Sequence, residues 1–382
     1  MSSQNSCQSC SAGALHELAG FSCLPRVTSD SKPFRPGGRL FVCERCGLIQ
    51  KIVDQQWRKD TDEIYRDYEM YHQSGSHDQP VFDPLTGWPS GRCEVLARRL
   101  AEEGVLPASG SLLDVGAGSG AMLAAFSSVC RGWSLFGLDL DDRKEQSLRA
   151  IAGFERLFTV PPEQVARQFD LITLIHSLEH FPDPLRMLRV LREKLANGRL
   201  FVQVNNVDRT PFDLVVADHL CHFTPRSLAD LVARAGFRIE AARTDWVSKE
   251  ISLLGVPAPQ AAAPERDDSR ELRLKVENEV AWLGSLFEHA RESAAGNRFG
   301  IFGTSVAATW LTAGLGNDVE FFVDEDPARE GRTHLGRPIL RPDQIPADAV
   351  VYLAFVPEVS ELIRGRLGHL PAKLVAPSRS AS

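Results

Sequence analysis

Leu112-Leu113-Asp114-Val115-Gly116-Ala117-Gly118-Ser119-Gly120 decides the fold. An apolar run with the look of a strand buried on both faces leads straight into three alternating glycines, and these open the helical pattern SGAMLAAFSSVC. Glycine adopts dihedrals closed to other residues and lets the backbone approach a ligand closely. The next apolar run, SLFGLDL, ends in Gly137-Leu138-Asp139. That places a carboxylate about 20 residues past the loop, where ribose hydroxyls are held in a strand–loop–helix nucleotide site. A glycine loop alone serves a nicotinamide dinucleotide equally well.

Outward from this loop, helical and strand patterns alternate. CEVLARRLAEEG precedes it; DRKEQSLRAIAG, FDLITLIHSL, PLRMLRVLREKL, GRLFVQVNN, SLADLVARAGF and RIEAARTDWVS follow. Alternating helices and continuous apolar strands predict a parallel α/β sheet covered on both faces. GVPAPQAAAPER reads as a linker. After it come a long amphipathic helical pattern over 267–295 and a second strand–turn–helix signal, RFGIFGTSVAATWL, within a smaller α/β unit. The divisions expected are 1–55, a cysteine module; 56–83, a connector; 84–255, the main α/β domain; 256–295, linker and long helix; and 296–382, a C-terminal α/β domain.

Cys7-Gln-Ser-Cys10 and Cys43-Glu-Arg-Cys46 are two C-x-x-C pairs among eight cysteines, a signal for one tetrahedral zinc rather than a disulfide scaffold. Four thiolates leave no open coordination position, so such an ion is structural. The net charge of −7 argues against holding a nucleic-acid backbone by bulk electrostatics. No run approaches the roughly 18 apolar residues of a membrane span, and the opening MSSQNSCQSCSAG lacks a basic and then apolar leader. A cytoplasmic protein acting on a small molecule is expected, with no nucleic acid or membrane partner; the oligomeric state is not legible.

Three features favour S-adenosylmethionine over a dinucleotide: the G-x-G-x-G spacing, Asp114 on the strand before the loop, and HSLEHFPDP at the end of the fourth strand. On these the segment 94–245 resembles the class I methyltransferases, which have a Rossmann-like core. The resemblance implies that Asp114, Gly116, Ala117, Gly118 and Gly120 form the loop around the cofactor's amino-acid end. Asp139 would then hold the ribose, with Leu140 beside it, and Ile175 to Leu178, including His176, would line the pocket.

The whole layout resembles the sugar C-methyltransferases, which place a four-cysteine zinc module before the core and a Rossmann-like domain after it and act on nucleotide-linked ketosugars. Their Tyr-x-Glu-His element matches Val216-Ala217-Asp218-His219, with His219 kept, Glu shortened to Asp218 and Tyr replaced by Val216. The resemblance implies His219 as general base, Asp218 as orienter or second acid/base group and His180 as a substrate-side histidine. Tyr68 and Tyr71 would fold over the cofactor. Read as residues alone, His219 could instead close the pocket or cap the next helix, His180 could be pocket wall, and the tyrosines could pack module against core. Gly300-Ile301-Phe302-Gly303-Thr304-Ser305 could cradle a diphosphate or simply turn a folded platform.

Overall fold

The computed structural model describes residues 6–66, 68, 78–82, 89–259 and 268–377. Three short strands, Leu15–Glu17 (β1), Leu40–Cys43 (β2) and Ile49–Lys51 (β3), make the sheet of the cysteine module beside a small antiparallel pair, Arg26–Val27 with Pro33–Phe34, and helix Gln55–Arg66 (α1) leaves it. The main domain opens with helix Arg92–Glu102 (α2) and strand Ser111–Val115 (β4), all five residues of which are buried. Helix Ala121–Val129 (α3) and strands Ser134–Leu138 (β5), Phe154–Phe158 (β6) and Phe169–Ile175 (β7) follow. Next come helix Pro184–Glu193 (α4), strand Leu195–Asn205 (β8), the two-residue strand Cys221–His222 (β9), helix Pro225–Arg234 (α5) and strands Phe237–Arg243 (β10) and Glu250–Pro257 (β11).

These strands make a seven-stranded sheet in the order β6-β5-β4-β7-β8-β11-β10. β4 pairs in parallel with β5 on one side and β7 on the other, so the chain reverses its direction of travel at β4. In such sheets the crevice at the carboxyl ends of the strands flanking the reversal takes the ligand. Helix starts are built locally: Asp183 accepts the Arg186 amide ahead of α4, and Thr224 accepts the Ser227 amide ahead of α5.

Two expectations are corrected here. DRKEQSLRAIAG is not a full helix; only Glu145–Leu148 is helical. Its exposed charged residues leave chiefly Leu148 and Ile151 to pack, and both sit where a Cβ on Gly120 would be. RIEAARTDWVS stops being a strand at Arg243, and the supposed linker start GVP belongs to β11, which runs antiparallel to both β8 and β10. Buried Ile251, Leu253 and Leu254 in β11 supply the apolar face that a linker would lack.

Helix Ser269–Ala294 (α6) leads to a second sheet containing Phe299–Phe302 (β12), Phe321–Val323 (β13), Arg337–Leu340 (β14), Val350–Leu353 (β15) and Lys373–Val375 (β16). Helix Val306–Leu315 (α7) follows β12. The module is not held by its cysteines alone. Leu18, Phe21, Val27 and Leu40 share one apolar cluster with Phe212, Leu283 and Trp310, and the Trp310 indole donates to the Pro25 carbonyl at 2.7 Å. The module also takes a strand from the main domain, because β9 pairs with β3, Cys221 against Gln50 and His222 against Ile49. Among the described residues, no helix is long and apolar enough to cross a membrane.

Candidate functional site

The glycine loop is shaped by contact rather than by flexibility. Gly116 sits at φ 79°, and a Cβ there would lie 2.8 Å from the Cβ of Ser177 at the end of β7. Only a residue without a side chain lets the two carboxyl-end loops touch. Ser177 Oγ donates to the Val115 carbonyl at 2.8 Å. Ala117 is buried beside Gly137, and Gly120, at φ 81°, precedes α3. Asp139 reaches back to this loop: its Oδ2 accepts the Gly118 amide at 2.7 Å and its Oδ1 accepts the Leu140 amide at 2.7 Å. Leu140 itself is 78% exposed, an apolar side chain presented beside that carboxylate. Asp114 is buried on β4 and accepts the Thr173 hydroxyl at 2.6 Å; burial pushes its carboxyl up to about 7. A glycine cradle in which a Cβ at Gly116 or Gly120 would collide with its neighbours, an acceptor carboxylate and an exposed apolar side chain fit the ribose and base of a nucleoside.

His176 follows β7 at a positive φ of 49°. Its Nε2 lies 3.1 Å from Glu250 and its Nδ1 3.3 Å from Glu179, while Arg92 pairs with the other Glu250 oxygen at 3.3 Å. Burial and Arg92 would lower the imidazole, but the two carboxylates outweigh them and raise it to about 9. Gln203 donates to Glu250 as well.

From here a cavity of about 340 Å³ opens between module, main domain and C-terminal domain, lined by His176, His180, His219, Tyr68, Arg209 and Lys249 among others. The His180 and His219 rings meet edge to face at 4.7 Å. His180 Nδ1 is 2.9 Å from the Tyr65 hydroxyl of α1 and 3.4 Å from Asp218 Oδ2. Burial, then the neighbouring His219, lowers the His180 pKa. Asp218 is fully buried: Ser29 donates its amide at 2.9 Å and its hydroxyl at 2.5 Å to the two carboxylate oxygens. Tyr68 lies 3.3 Å from Ser29 Oγ. Tyr71 lies outside the described residues.

His219 Nδ1 is 2.8 Å from Asp213 Oδ1, which also accepts the Asn205 amide at 2.8 Å; Asp213 Oδ2 is 2.7 Å from His222 Nδ1. Burial disfavours a charged His219, yet Asp213 outweighs it and raises the pKa above the ordinary value. Asp213 is correspondingly held well below the usual carboxylate range. With Nδ1 engaged by Asp213, Nε2 is the other ring nitrogen of a side chain that lines the cavity, the form a general base needs. Asp213, Tyr65, Ser29, Glu250 and Lys51 were not singled out in the sequence. Asp213 had one signal, an acidic residue six before His219 on the same segment.

In the module, Cys7 and Cys46 sulfurs are 3.4 Å apart and those of Cys10 and Cys43 3.6 Å, with all four within 4.8 Å. A disulfide needs about 2.05 Å, whereas thiolates at the corners of a zinc tetrahedron with about 2.3 Å bonds stand about 3.8 Å apart. Gly47, at φ 71°, donates to the Cys43 carbonyl at 2.8 Å and closes the second knuckle. The donor set fits a zinc ion.

Residues 90–242 match a family described as a methyltransferase domain. A ubiquinone biosynthesis O-methyltransferase of Pseudomonas paraeruginosa is 29% identical over 133 residues, 31% of this chain and 56% of that protein. One from Psychrobacter arcticus is 31% identical over 147 residues, 35% and 55%. The chain thus spans little more than half the length of these relatives. Among solved structures, the mitomycin 7-O-methyltransferase MmcR aligns with a TM-score of 0.38 and 19% identity over 44% of this chain and 53% of that one. A SAM dependent methyltransferase from Aquifex aeolicus aligns with 0.37 and 16% over 46% and 95%. Residues 90–242, which carry Asp114, Asp139, His176, His180, Asp213 and His219, are the part of the chain that matches the methyltransferase-domain family.

Proposed function

We propose that this chain transfers a methyl group from S-adenosylmethionine to a small anionic acceptor, a nucleotide-linked ketosugar methylated on carbon, with His219 as general base. The family match and the glycine crevice support the donor. Backbone of Gly116, Ala117 and Gly118 would cradle it, Asp139 would hold its ribose, Leu140 would face its base, and Asp114 and His176 would face its amino-acid end. Bound there, S-adenosylmethionine supplies an electrophilic methyl carbon.

The observation that carries the acceptor-side reading is a cavity-lining imidazole whose Nδ1 is held by a buried carboxylate. A C–H bond beside a ketone breaks, its proton goes to His219 Nε2, and the electron pair left behind makes that carbon the nucleophile. Asp213 stabilises the imidazolium so formed, and His180 fixes the plane of the ring from its edge. Aligning acceptor and donor within reach supplies much of the remaining acceleration. Arg209, Lys249 and Ser305 at the start of α7 line the far side of the cavity. Two cations and a helix N-terminus suit a diphosphate. The four cysteines would hold a structural zinc.

A second reading, O-methylation, is favoured by the names of the curated relatives. There His219 would take a hydroxyl proton instead. Methyl-labelled S-adenosylmethionine offered with a panel of nucleotide-linked ketosugars and hydroxylated acceptors decides between them. Label in a carbon-bound methyl, with donor-free exchange of the adjacent proton for deuterium, supports the first; label in a methoxy group and no exchange removes it.

A further inference from the structure

Lys51 ends β3, four residues past the second cysteine pair's Gly47, and it is buried to 2% exposure. Its ammonium donates to the carbonyls of Val216 at 2.7 Å and His219 at 2.6 Å and lies 3.0 Å from His222 Nε2. An ammonium has three protons and accepts nothing. With two protons on carbonyls, the third is received at His222 only if Nε2 carries a lone pair. The His222 proton is then on Nδ1, donating to Asp213 Oδ2 at 2.7 Å. Asp213 therefore meets two donors, His222 through one oxygen and His219 through the other. A donor facing a donor in a buried site leaves both groups unsatisfied, so the chain of protons has one favoured direction.

We propose that Lys51 is a positioning residue: it holds His222 with its proton on Nδ1, so that Asp213 stays a fully bonded carboxylate that takes the His219 Nδ1 proton and leaves Nε2 without one. This rests on reading His219 as the base. It gives the cysteine module a part in the chemistry: β3 hands the main domain both a strand partner for β9 and the ammonium that orients the proton chain. Burial pushes Lys51 down to about 7, opposed by Asp213 and Asp218. Burial, then Lys51, pushes His222 down to about 4. The groups facing His219 are Asp213 and His222 on its own segment, Asp218 beside it, and Glu179 and His180 from the loop after β7.

The full chain labelled with ¹⁵N-histidine reports the tautomers directly through two-bond proton–nitrogen couplings at pH 6, where Lys51 keeps its third proton. We expect His222 neutral with its proton on Nδ1; a proton on its Nε2 overturns the proposal. In Lys51→Met, His222 should titrate at higher pH than in the native chain; an unchanged spectrum overturns the proposal too. Should that variant not fold, His222→Gln and His222→Leu keep the question answerable. Glutamine still donates to Asp213 and accepts from Lys51, whereas leucine does neither. His222→Gln should exceed His222→Leu by about tenfold in kcat, with equal KM for S-adenosylmethionine; equal kcat contradicts the proposal. If the tautomers are as expected but His219→Ala keeps its turnover, the positioning stands and the base assignment fails.

Discussion

Asp213→Asn tests the site most sharply, because one atom is changed and three hydrogen bonds respond. Asp213 takes His219 and Asn205 on one oxygen and His222 on the other. Asparagine replaces one acceptor by a donor, so one of the two imidazoles must move its proton from Nδ1 to Nε2. His222 is pinned by the Lys51 ammonium at 3.0 Å, which leaves His219 to change. Its Nε2 then carries a hydrogen, and the proposed base is lost. In other enzymes, replacing the carboxylate behind a catalytic histidine by its amide costs up to about 10⁴ in kcat through the wrong tautomer. A loss of about two to four powers of ten is expected here, with little change in KM for S-adenosylmethionine. Loss of the charge also removes what raises the His219 pKa. The base works deprotonated, so the acidic limb of kcat should move to lower pH while the plateau falls. Steady-state rates between pH 5 and 9, with a thermal melt to establish folding, provide the assay. A kcat within threefold of native and an unmoved acidic limb would refute the reasoning.

Gly116→Ala places a Cβ 2.8 Å from Ser177 in a left-handed backbone at φ 79°; calorimetry should show S-adenosylmethionine binding weakened by about tenfold or more, given a strain of about 1–2 kcal/mol. His176 has a folded pKa raised to about 9, so its ion pairs contribute stability that is fully present below about pH 6.5 and lost as pH rises through 9. Denaturant titrations should show native stability falling across that window, and His176→Asn should flatten the fall. Metal analysis should find one zinc per chain, and Cys43→Ser or chelation should lower the melting temperature and turnover together, since β3 carries Lys51; a metal-free chain of unchanged stability contradicts the structural assignment.

The glycine loop was readable because its requirement is local: a strand, a turn that excludes Cβ atoms and a carboxylate one strand later all lie within 112–140. The paired cysteines were readable for the same reason. β11 escaped because its apolar run ISLLGVP adjoins a Pro- and Ala-rich stretch, and its antiparallel place between β8 and β10 is decided by the sheet. Asp213 and Lys51 escaped for a different reason. A buried lysine or aspartate reads as an ordinary surface charge in sequence, and only the pairing of β3 with β9, between residues far apart in the chain, brings Lys51 to His222. Tyr65 escaped likewise: α1 carries its hydroxyl to within 2.9 Å of His180 Nδ1, a contact between residues far apart in the chain.

The crevice at β4 and β5 is the proposed site of S-adenosylmethionine. Isothermal titration of the full chain with S-adenosylmethionine, S-adenosylhomocysteine and NAD measures it directly. Binding of the first two that is lost in Asp139→Ala, with none of NAD, is the result predicted; tight NAD binding and no affinity for either sulfur nucleoside would contradict the account.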